Sequence, residues 1–204
     1  MSGDLYAIGD IHGSLESLER LLDKINPDLT RDRLVFVGDY IDRGPQSREV
    51  VDYIIRLKNL APPGQIICLK GNHEAMLLDF LAGGPAEMFI FNGGRATVEQ
   101  YWGDRWVDRE GLALPPDHAQ FFQDLELYSE TPDYLFVHGG LKPGVPLAEQ
   151  AAERKRMQDQ LARELSGTAP KAGALAQRYR LVAIQHRSAT RTSTARRSLM
   201  PCES

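Results

Sequence analysis

Several features that define other classes of protein are scarce or missing in this 204-residue chain. It has only two cysteines, Cys68 and Cys202, which are too few for a disulfide framework and are typical of free thiols in a reducing cytoplasm. No run approaches the roughly 20 apolar residues that are needed to cross a bilayer. The first ten residues, MSGDLYAIGD, lack a basic stretch before their short apolar run. We therefore expect no membrane partner, no export signal and a cytoplasmic location.

The formal net charge is only −4, but it is divided unevenly along the chain. Residues 151–204 contain 11 Lys and Arg against 4 Asp and Glu, a net charge of +7, whereas residues 1–150 have a net charge of −11. An acidic body argues against a nucleic-acid partner. We therefore divide the chain into a core over residues 1–150 and a basic C-terminal segment over residues 151–204, which we expect to be partly helical and then disordered.

Apolar runs and helical stripes alternate over the first 81 residues. Three short buried strands are predicted, over Leu5–Ile8, Leu34–Val37 and Gln65–Leu69. Three helices are predicted as well, from an N-cap at Ser14 to Ile25, from Pro45 onward, and over Glu74–Leu81. This β-α-β-α-β order is typical of parallel strands joined by helical crossovers, and therefore of an α/β fold.

The rest of the core is less regular. Residues 83–114 are rich in glycine and aromatics, and we expect irregular structure there. A helix is predicted over residues 115–125, with His118 in a solvated first turn and with Phe121 and Phe122 in the core. Two further strands are predicted, over Leu127–Ser129 and Tyr134–Val137.

Four polar clusters each come directly after an apolar strand. They are GDIHG (9–13), GDYIDRG (38–44), GNHE (71–74) and HGG (138–140). The carboxyl ends of the strands in an open α/β sheet form the edge where ligands bind, so four such loops would meet in one crevice. Any one cluster alone would more often be a turn, a helix cap or a surface ion pair. Their joint occurrence in order is what indicates a functional site.

The side chains of these clusters are those of a metal site. Asp10 and His12, two residues apart across a tight turn, can face one ion. Asp39, Asn72 and His138 add oxygen and nitrogen donors without any thiolate. Such a set suits Mn²⁺, Fe or Zn²⁺ better than Ca²⁺ or a structural zinc held by cysteines.

Taken together, these motifs resemble the signatures of the calcineurin-like metallophosphoesterases, and in particular those of the phosphoprotein phosphatase branch. GDIHG, GDYIDRG and GNHE stand in that family's order, and Asn92-Gly93-Gly94 and YLFVHGGL are similar to its later features. The resemblance covers roughly residues 4–147. It implies an α/β fold in which a two-sheet β sandwich is flanked by helices and carries two divalent metal ions, Mn²⁺ first, with Fe or Zn²⁺ as alternatives.

The resemblance also implies a role for each side chain. Asp10 and His12 would hold the first ion, Asp39 would bridge both, and Asn72 and His138 would hold the second.

Three further residues would act on the substrate. His73 would be a general acid oriented by Asp42, and Arg43 would hold the phosphate oxygens. The implied function is hydrolysis of phosphoserine or phosphothreonine in a protein or peptide, by direct water attack. Symmetrical hydrolysis of diadenosine tetraphosphate is an alternative that shares the metal centre.

The C-terminal segment departs from the family pattern. The family's further metal-binding histidine usually stands in a Gly-His motif after a strand, and no Gly-His dipeptide occurs in this sequence. His186 follows an apolar run that could be an edge strand and is the candidate ligand, although Gln185 stands where glycine is expected. A second phosphate-binding arginine has two candidates, Arg95 and Arg163. An atypical or incomplete C-terminal portion, for example a truncated or frame-shifted one, would instead give a catalytically impaired member or a silent binding module.

Overall fold

The computed structural model of the chain describes residues 3–108 and 111–150, together with the backbone of residues 184 and 185. The strands in these ranges are β1 (Leu5–Ile8), β2 (Arg33–Phe36), β3 (Ile66–Cys68), β4 (Tyr128–Glu130), β5 (Tyr134–Val137) and β6 (Ile184–Gln185). The α-helices are α1 (Leu15–Ile25), α2 (Ser47–Leu60), α3 (Asn72–Leu81), α4 (Ala86–Phe89), α5 (Arg95–Trp102) and α6 (Pro116–Gln123). A π-type turn over Ile90–Gly94 precedes α5, and a 3₁₀ turn over Gly103–Trp106 follows it.

The first sheet is parallel, with strand order β1-β2-β3, as the alternating pattern predicts. Its central strand β2 is buried on both faces. Successive side chains of a strand point to opposite sides, so alternate residues of β2 enter two different cores. Leu34 and Phe36 pack in the main core with the helices, whereas Val35 and Val37 belong to a second, smaller core.

The second sheet is antiparallel, with order β4-β5-β6. Phe136 of β5 packs in the smaller core against Val35, Val37 and Leu69 of the first sheet. Two sheets that bury side chains between them form a sandwich, and helices cover the outer face of the first sheet. The structure therefore confirms the predicted α/β two-sheet fold.

Two expectations about the irregular region and its neighbour are wrong. The stretch from residue 83 to residue 114 contains α4 and α5. Helix α5 buries Val98, Tyr101 and Trp102, which are spaced three and four apart on one helical face. His118 is not solvated: it is 1% exposed, with Nε2 2.9 Å from Asp52 Oδ1 and Nδ1 2.6 Å from the Tyr101 hydroxyl. His118 therefore connects α6 to α2 and α5 through these two hydrogen bonds.

The basic C-terminal segment lies outside the described residues except for two backbone positions. There, Ile184 and Gln185 pair with Leu135 and Tyr134 of β5, which agrees with an edge strand at the end of the apolar run. His186 and Arg163 fall outside the description. Among residues 3–108 and 111–150, no helix is long and apolar enough to span a membrane.

Candidate active site

Backbone hydrogen bonds join the loop after β1 to the loop after β2. The N–H groups of Ile11 and His12 donate to the Asp39 carbonyl oxygen at 3.0 and 2.9 Å, and the Gly13 N–H donates to the Tyr40 carbonyl at 2.8 Å. Because backbone groups cannot shift independently, these bonds fix the two loops that carry Asp39 and His12 as one unit.

The loops after β3 and β5 reach the same place at Gly38, which adopts a φ of 110°. A Cβ at this position would lie 2.6 Å from the Gly71 nitrogen and 2.9 Å from His138 Nδ1. Only a residue without a side chain allows this approach. All four predicted clusters therefore meet in one crevice, but they do not all follow strands of one sheet: the first three follow β1, β2 and β3, whereas residues 138–140 follow β5 of the second sheet.

Backbone strain is concentrated in this crevice. Five non-glycine residues of the described chain have positive φ, and four of them are predicted site residues: His12 (47°), Asp39 (56°), Asp42 (74°) and Arg43 (66°). The fifth, Asn26, caps the end of α1. Left-handed backbone costs about 1–3 kcal/mol per non-glycine residue and persists where surrounding contacts over-determine it, commonly at functional sites.

Asp39 is at the centre of the predicted metal ligands. Its Oδ2 lies 3.8 Å from His12 Nε2, and its Oδ1 lies 3.4 Å from His138 Nε2. In the described residues, ligand atoms of Asp10, Asp39 and His138 lie within 4.8 Å of one another, and so do those of His12, Asp39 and His73. Both groups share Asp39. However, Asp10 belongs to the first group and His12 to the second, whereas the sequence predicts that these two residues bind the same ion.

Two histidines are held in the tautomer that binds metal through Nε2. His12 Nδ1 lies 2.9 Å from the Ile41 carbonyl oxygen, and His138 Nδ1 lies 2.9 Å from that of Val37. A carbonyl only accepts, so each Nδ1 carries a proton, and each Nε2 is the atom left to face a metal ion. His138 Nε2 is 3.0 Å from Asn72 Oδ1. Burial lowers the pKa of His12, which favours its neutral, ligating form.

The candidate general acid is tightly held. His73 is buried, and its Nδ1–H donates to Asp42 Oδ2 at 2.6 Å. Arg43 Nη2 lies 3.4 Å from His73 Nε2, the ring nitrogen that faces away from Asp42. Burial alone lowers the pKa of His73, but the bond to Asp42 and the charges of Asp39, Asp42 and Glu74 outweigh it and raise the pKa above its usual value. Such a histidine can hold a proton and release it to a leaving group.

Two residues that the sequence analysis missed hold Asp42 in place. The Thr97 hydroxyl donates to Asp42 Oδ1 at 2.6 Å and accepts from the Asp42 N–H at 2.9 Å. The Ser47 hydroxyl accepts from the same N–H at 3.0 Å. Thr97 comes from α5, 55 positions after Asp42, so no local pattern brings it there, whereas Ser47 stands five positions after Asp42 at the start of α2. The nearest signal is that Thr97 follows the family-like stretch Asn92–Gly94.

Glu74 is the third residue whose role was missed. Its buried carboxylate accepts hydrogen bonds from the N–H groups of Asp39, Tyr40 and Gly71 at 2.9, 2.8 and 2.9 Å. Burial and the charge of Asp39 raise the pKa of Glu74 to about 7, against the lowering effect of these three donors. Glu74 thus ties the loop after β3 to the bend that displays Asp39.

Of the two candidate second arginines, Arg95 lies in the described part of the chain. Its Nε donates to Glu99 Oε1 at 2.7 Å on the surface of α5. It therefore forms an ordinary exposed ion pair. Arg43, in contrast, is anchored through its backbone, because its N–H donates to the Gly93 carbonyl oxygen at 3.0 Å.

Comparison with known proteins finds relatives from two bacteria that share one name. A protein of Pseudomonas fluorescens (strain SBW25), named "Bis(5'-nucleosyl)-tetraphosphatase, symmetrical", is 42% identical over 144 residues, covering 68% of this chain and 43% of the relative. A protein of Dechloromonas aromatica (strain RCB) with the same name is 33% identical over 166 residues, covering 80% and 50%. The chain thus spans about half the length of the curated relatives it matches.

Solved structures give two further similarities. A candidate diadenosine tetraphosphatase matches with 25% identity and a TM-score of 0.52, over 72% of this chain and 55% of that chain. A protein serine/threonine phosphatase from Saccharomyces cerevisiae matches with 25% identity and a TM-score of 0.51, over 74% and 46%.

The family model described as calcineurin-like phosphoesterase matches residues 4–196, which is most of the chain. The family uses divalent metal ions, and the described residues bring oxygen and nitrogen ligands together at the predicted edge of the sheet. The chain belongs to the calcineurin-like phosphoesterase family.

Proposed function

We propose that this chain is a metal-dependent hydrolase that cleaves dinucleoside tetraphosphates symmetrically. The observation that carries the proposal is the name shared by the relatives from P. fluorescens and D. aromatica, at 42% and 33% identity. It favours the alternative drawn from the sequence over the main interpretation, a serine/threonine protein phosphatase. The chain spans about half of those relatives, so their activity comes to it only as a proposal.

The residues present fit a pair of divalent ions. Five side chains would hold them: Asp10, His12, Asp39, Asn72 and His138. Nitrogen atoms of two imidazoles and oxygen atoms of an amide and two carboxylates come together there, which is a donor set for Mn²⁺, Fe or Zn²⁺. When bound, divalent ions supply Lewis-acid activation of water and neutralise phosphate charge.

Two residues of the chain would bind the substrate and protonate its leaving group. Arg43, fixed by its backbone bond to Gly93, would bind phosphate oxygens beside His73. His73, oriented by Asp42, would protonate the departing group. A departing nucleoside diphosphate has a terminal phosphate with a pKa of about 6, so it needs less protonation than the alkoxide that leaves phosphoserine.

The test is a parallel assay of metal-loaded chain on diadenosine tetraphosphate and on a phosphoserine peptide. Symmetrical cleavage yields ADP as the only nucleotide product, whereas asymmetrical cleavage yields ATP and AMP. We expect ADP, with loss of turnover when a chelator removes the metal. Turnover of the phosphopeptide without any ADP would overturn the proposal in favour of a protein phosphatase.

A third possibility, a silent binding module, is separated by metal content. Two ions per chain, measured by elemental analysis after dialysis, are expected for the enzyme. One ion or none, together with no turnover of either substrate, would support the silent module. The phosphorylated partner that the sequence analysis expects stays a prediction until the phosphopeptide is assayed.

A further inference from the structure

An exposed aromatic side chain lies beside the candidate active site. Phe91 is 87% exposed, the highest exposure of any large apolar side chain in the described residues. Met88, three positions earlier, is 46% exposed. Residues three apart in a helical turn lie on the same side, so Met88 and Phe91 form one exposed apolar pair on α4 and the turn that follows it.

The turn that carries Phe91 is in direct contact with the phosphate-binding arginine. The Gly93 carbonyl oxygen accepts the Arg43 N–H at 3.0 Å, and a Cβ at Gly93 would lie 2.8 Å from Arg43 Cγ. Two residues of chain span at most roughly 7 Å, so the Cα of Phe91 lies within roughly 13 Å of the Arg43 nitrogen. A ligand that holds phosphates at Arg43 and extends by this distance can therefore reach the turn that carries Phe91.

The turn is also well supported. Asn92 Nδ2 donates to the Met88 carbonyl oxygen at 2.6 Å. Gly94 packs so closely on the buried ring of Phe89 that a Cβ there would lie 2.6 Å from it. Phe91 is therefore displayed from an ordered turn, which reduces the entropy lost when a ligand covers it.

We propose that Phe91, with Met88 beside it, is the surface on which a nucleobase of a dinucleoside tetraphosphate stacks. This inference rests on the function proposed above and adds the part of the substrate that carries its specificity. Aromatic side chains bind bases through their faces, and every base has such a face. A dinucleoside tetraphosphate always carries a base on each side of its phosphates. An arbitrary phosphopeptide does not carry such a group at a fixed distance.

The test compares Phe91→Ala and Phe91→Trp with wild type in the metal-loaded chain. KM for diadenosine tetraphosphate should rise roughly 5- to 150-fold in Phe91→Ala, the range that corresponds to about 1–3 kcal/mol for one stacked base. Phe91→Trp should retain a KM near that of wild type. Inorganic tetraphosphate, which has the phosphates but no bases, should inhibit wild type and Phe91→Ala equally.

The matched control is Leu60→Ala, because Leu60 is 76% exposed at the last residue of α2. It should change neither KM nor inhibition. The thermal midpoint of Phe91→Ala should match that of Leu60→Ala, and a larger drop would contradict an open surface.

The outcomes separate the two proposals. If wild type yields ADP but Phe91→Ala keeps its KM, the base-stacking surface is wrong while the proposed function stands. If wild type yields no ADP, the proposed function fails and this inference fails with it. A dimer in sedimentation that Phe91→Ala dissociates, with KM unchanged, would assign the surface to a second copy of the chain.

Discussion

Thr97→Val tests whether a buried hydroxyl holds the candidate general-acid pair in place. Valine has nearly the shape of threonine but lacks its hydroxyl. The substitution removes the 2.6 Å bond to Asp42 Oδ1, whereas the Asp42 N–H keeps Ser47 Oγ as an acceptor at 3.0 Å. The substitution also removes the 2.9 Å bond that the hydroxyl accepts from the Asp42 N–H and its 3.1 Å contact with Ser47 Oγ, but only the carboxylate oxygen, which is fully buried, loses a charged-group bond.

The bond to Asp42 Oδ1 dominates the expected cost. A hydrogen bond to a charged group contributes about 1.5–3 kcal/mol, and water cannot replace it because Asp42 is 0% exposed. The extra methyl group returns up to about 0.8 kcal/mol through apolar burial. We expect a net loss of roughly 1–3 kcal/mol in the free energy of unfolding. With a slope of about 1–3 kcal/mol per molar urea, the midpoint should fall by roughly 1 M.

The matched control is Thr30→Val, because the Thr30 hydroxyl donates to Asp28 Oδ1 at the same 2.6 Å but on the surface. Exposed substitutions usually stay within about 0.5 kcal/mol. Urea unfolding of both variants at one metal concentration gives the comparison, and kcat should fall in Thr97→Val alone. Equal midpoint shifts in the two variants would refute the reasoning, since burial would then make no difference to the bond.

Other substitutions separate metal binding, protonation and substrate binding. Asp39→Asn should lose bound metal and activity together, and retention of two ions by elemental analysis would refute a bridging role. His73→Asn should keep its metal but lower kcat on a phosphoserine peptide by roughly 10²–10⁴, with a smaller loss on diadenosine tetraphosphate; equal losses would argue against the acid. Arg43→Ala should raise both KM for diadenosine tetraphosphate and the inhibition constant of inorganic phosphate. Unchanged values would mean that Arg43 forms an ion pair and does not bind phosphate. Burial raises the pKa of Cys68 to about 12, so at about pH 8 its thiol should resist alkylation in the native protein and react in denaturant, as peptide mass spectrometry can show.

The parallel half of the fold is predictable because its signals are local. Each strand is a short apolar run, and each crossover helix repeats its apolar residues with helical spacing. The apolar run of β2 is continuous rather than alternating because Leu34 faces the helices and Val35 faces the second sheet. Helix α5 was missed, although Val98, Tyr101 and Trp102 carry the spacing, because the glycines before it made the whole stretch look irregular.

The ligand set of the candidate site was predictable for a related reason. Asp10, Asp39 and Asn72 are placed by topology, since the carboxyl ends of the parallel strands β1, β2 and β3 share one edge, whereas His138 comes from β5 of the second sheet, which packs on the first. The residues that support them were not predictable. Thr97 reaches Asp42 across 55 positions in sequence, and His118 is buried by partners on two other helices. Contacts of this kind depend on how helices dock, and no short window of sequence records that.

Hydrogen bonds between loops stabilise this dense cluster of charged residues in the folded chain. Left-handed backbone at His12, Asp39, Asp42 and Arg43 costs about 1–3 kcal/mol per residue, against a typical total stability of about 5–15 kcal/mol. That strain is offset by bonds between loops, from the Asp39 carbonyl to the loop after β1 and from Glu74 to three backbone donors. The bonds to the Asp39 carbonyl, and those that Glu74 accepts from Asp39 and Tyr40, join segments that follow different strands. The geometry of the site therefore depends on several loops together, and a change in any one of them should shift the position of Asp39.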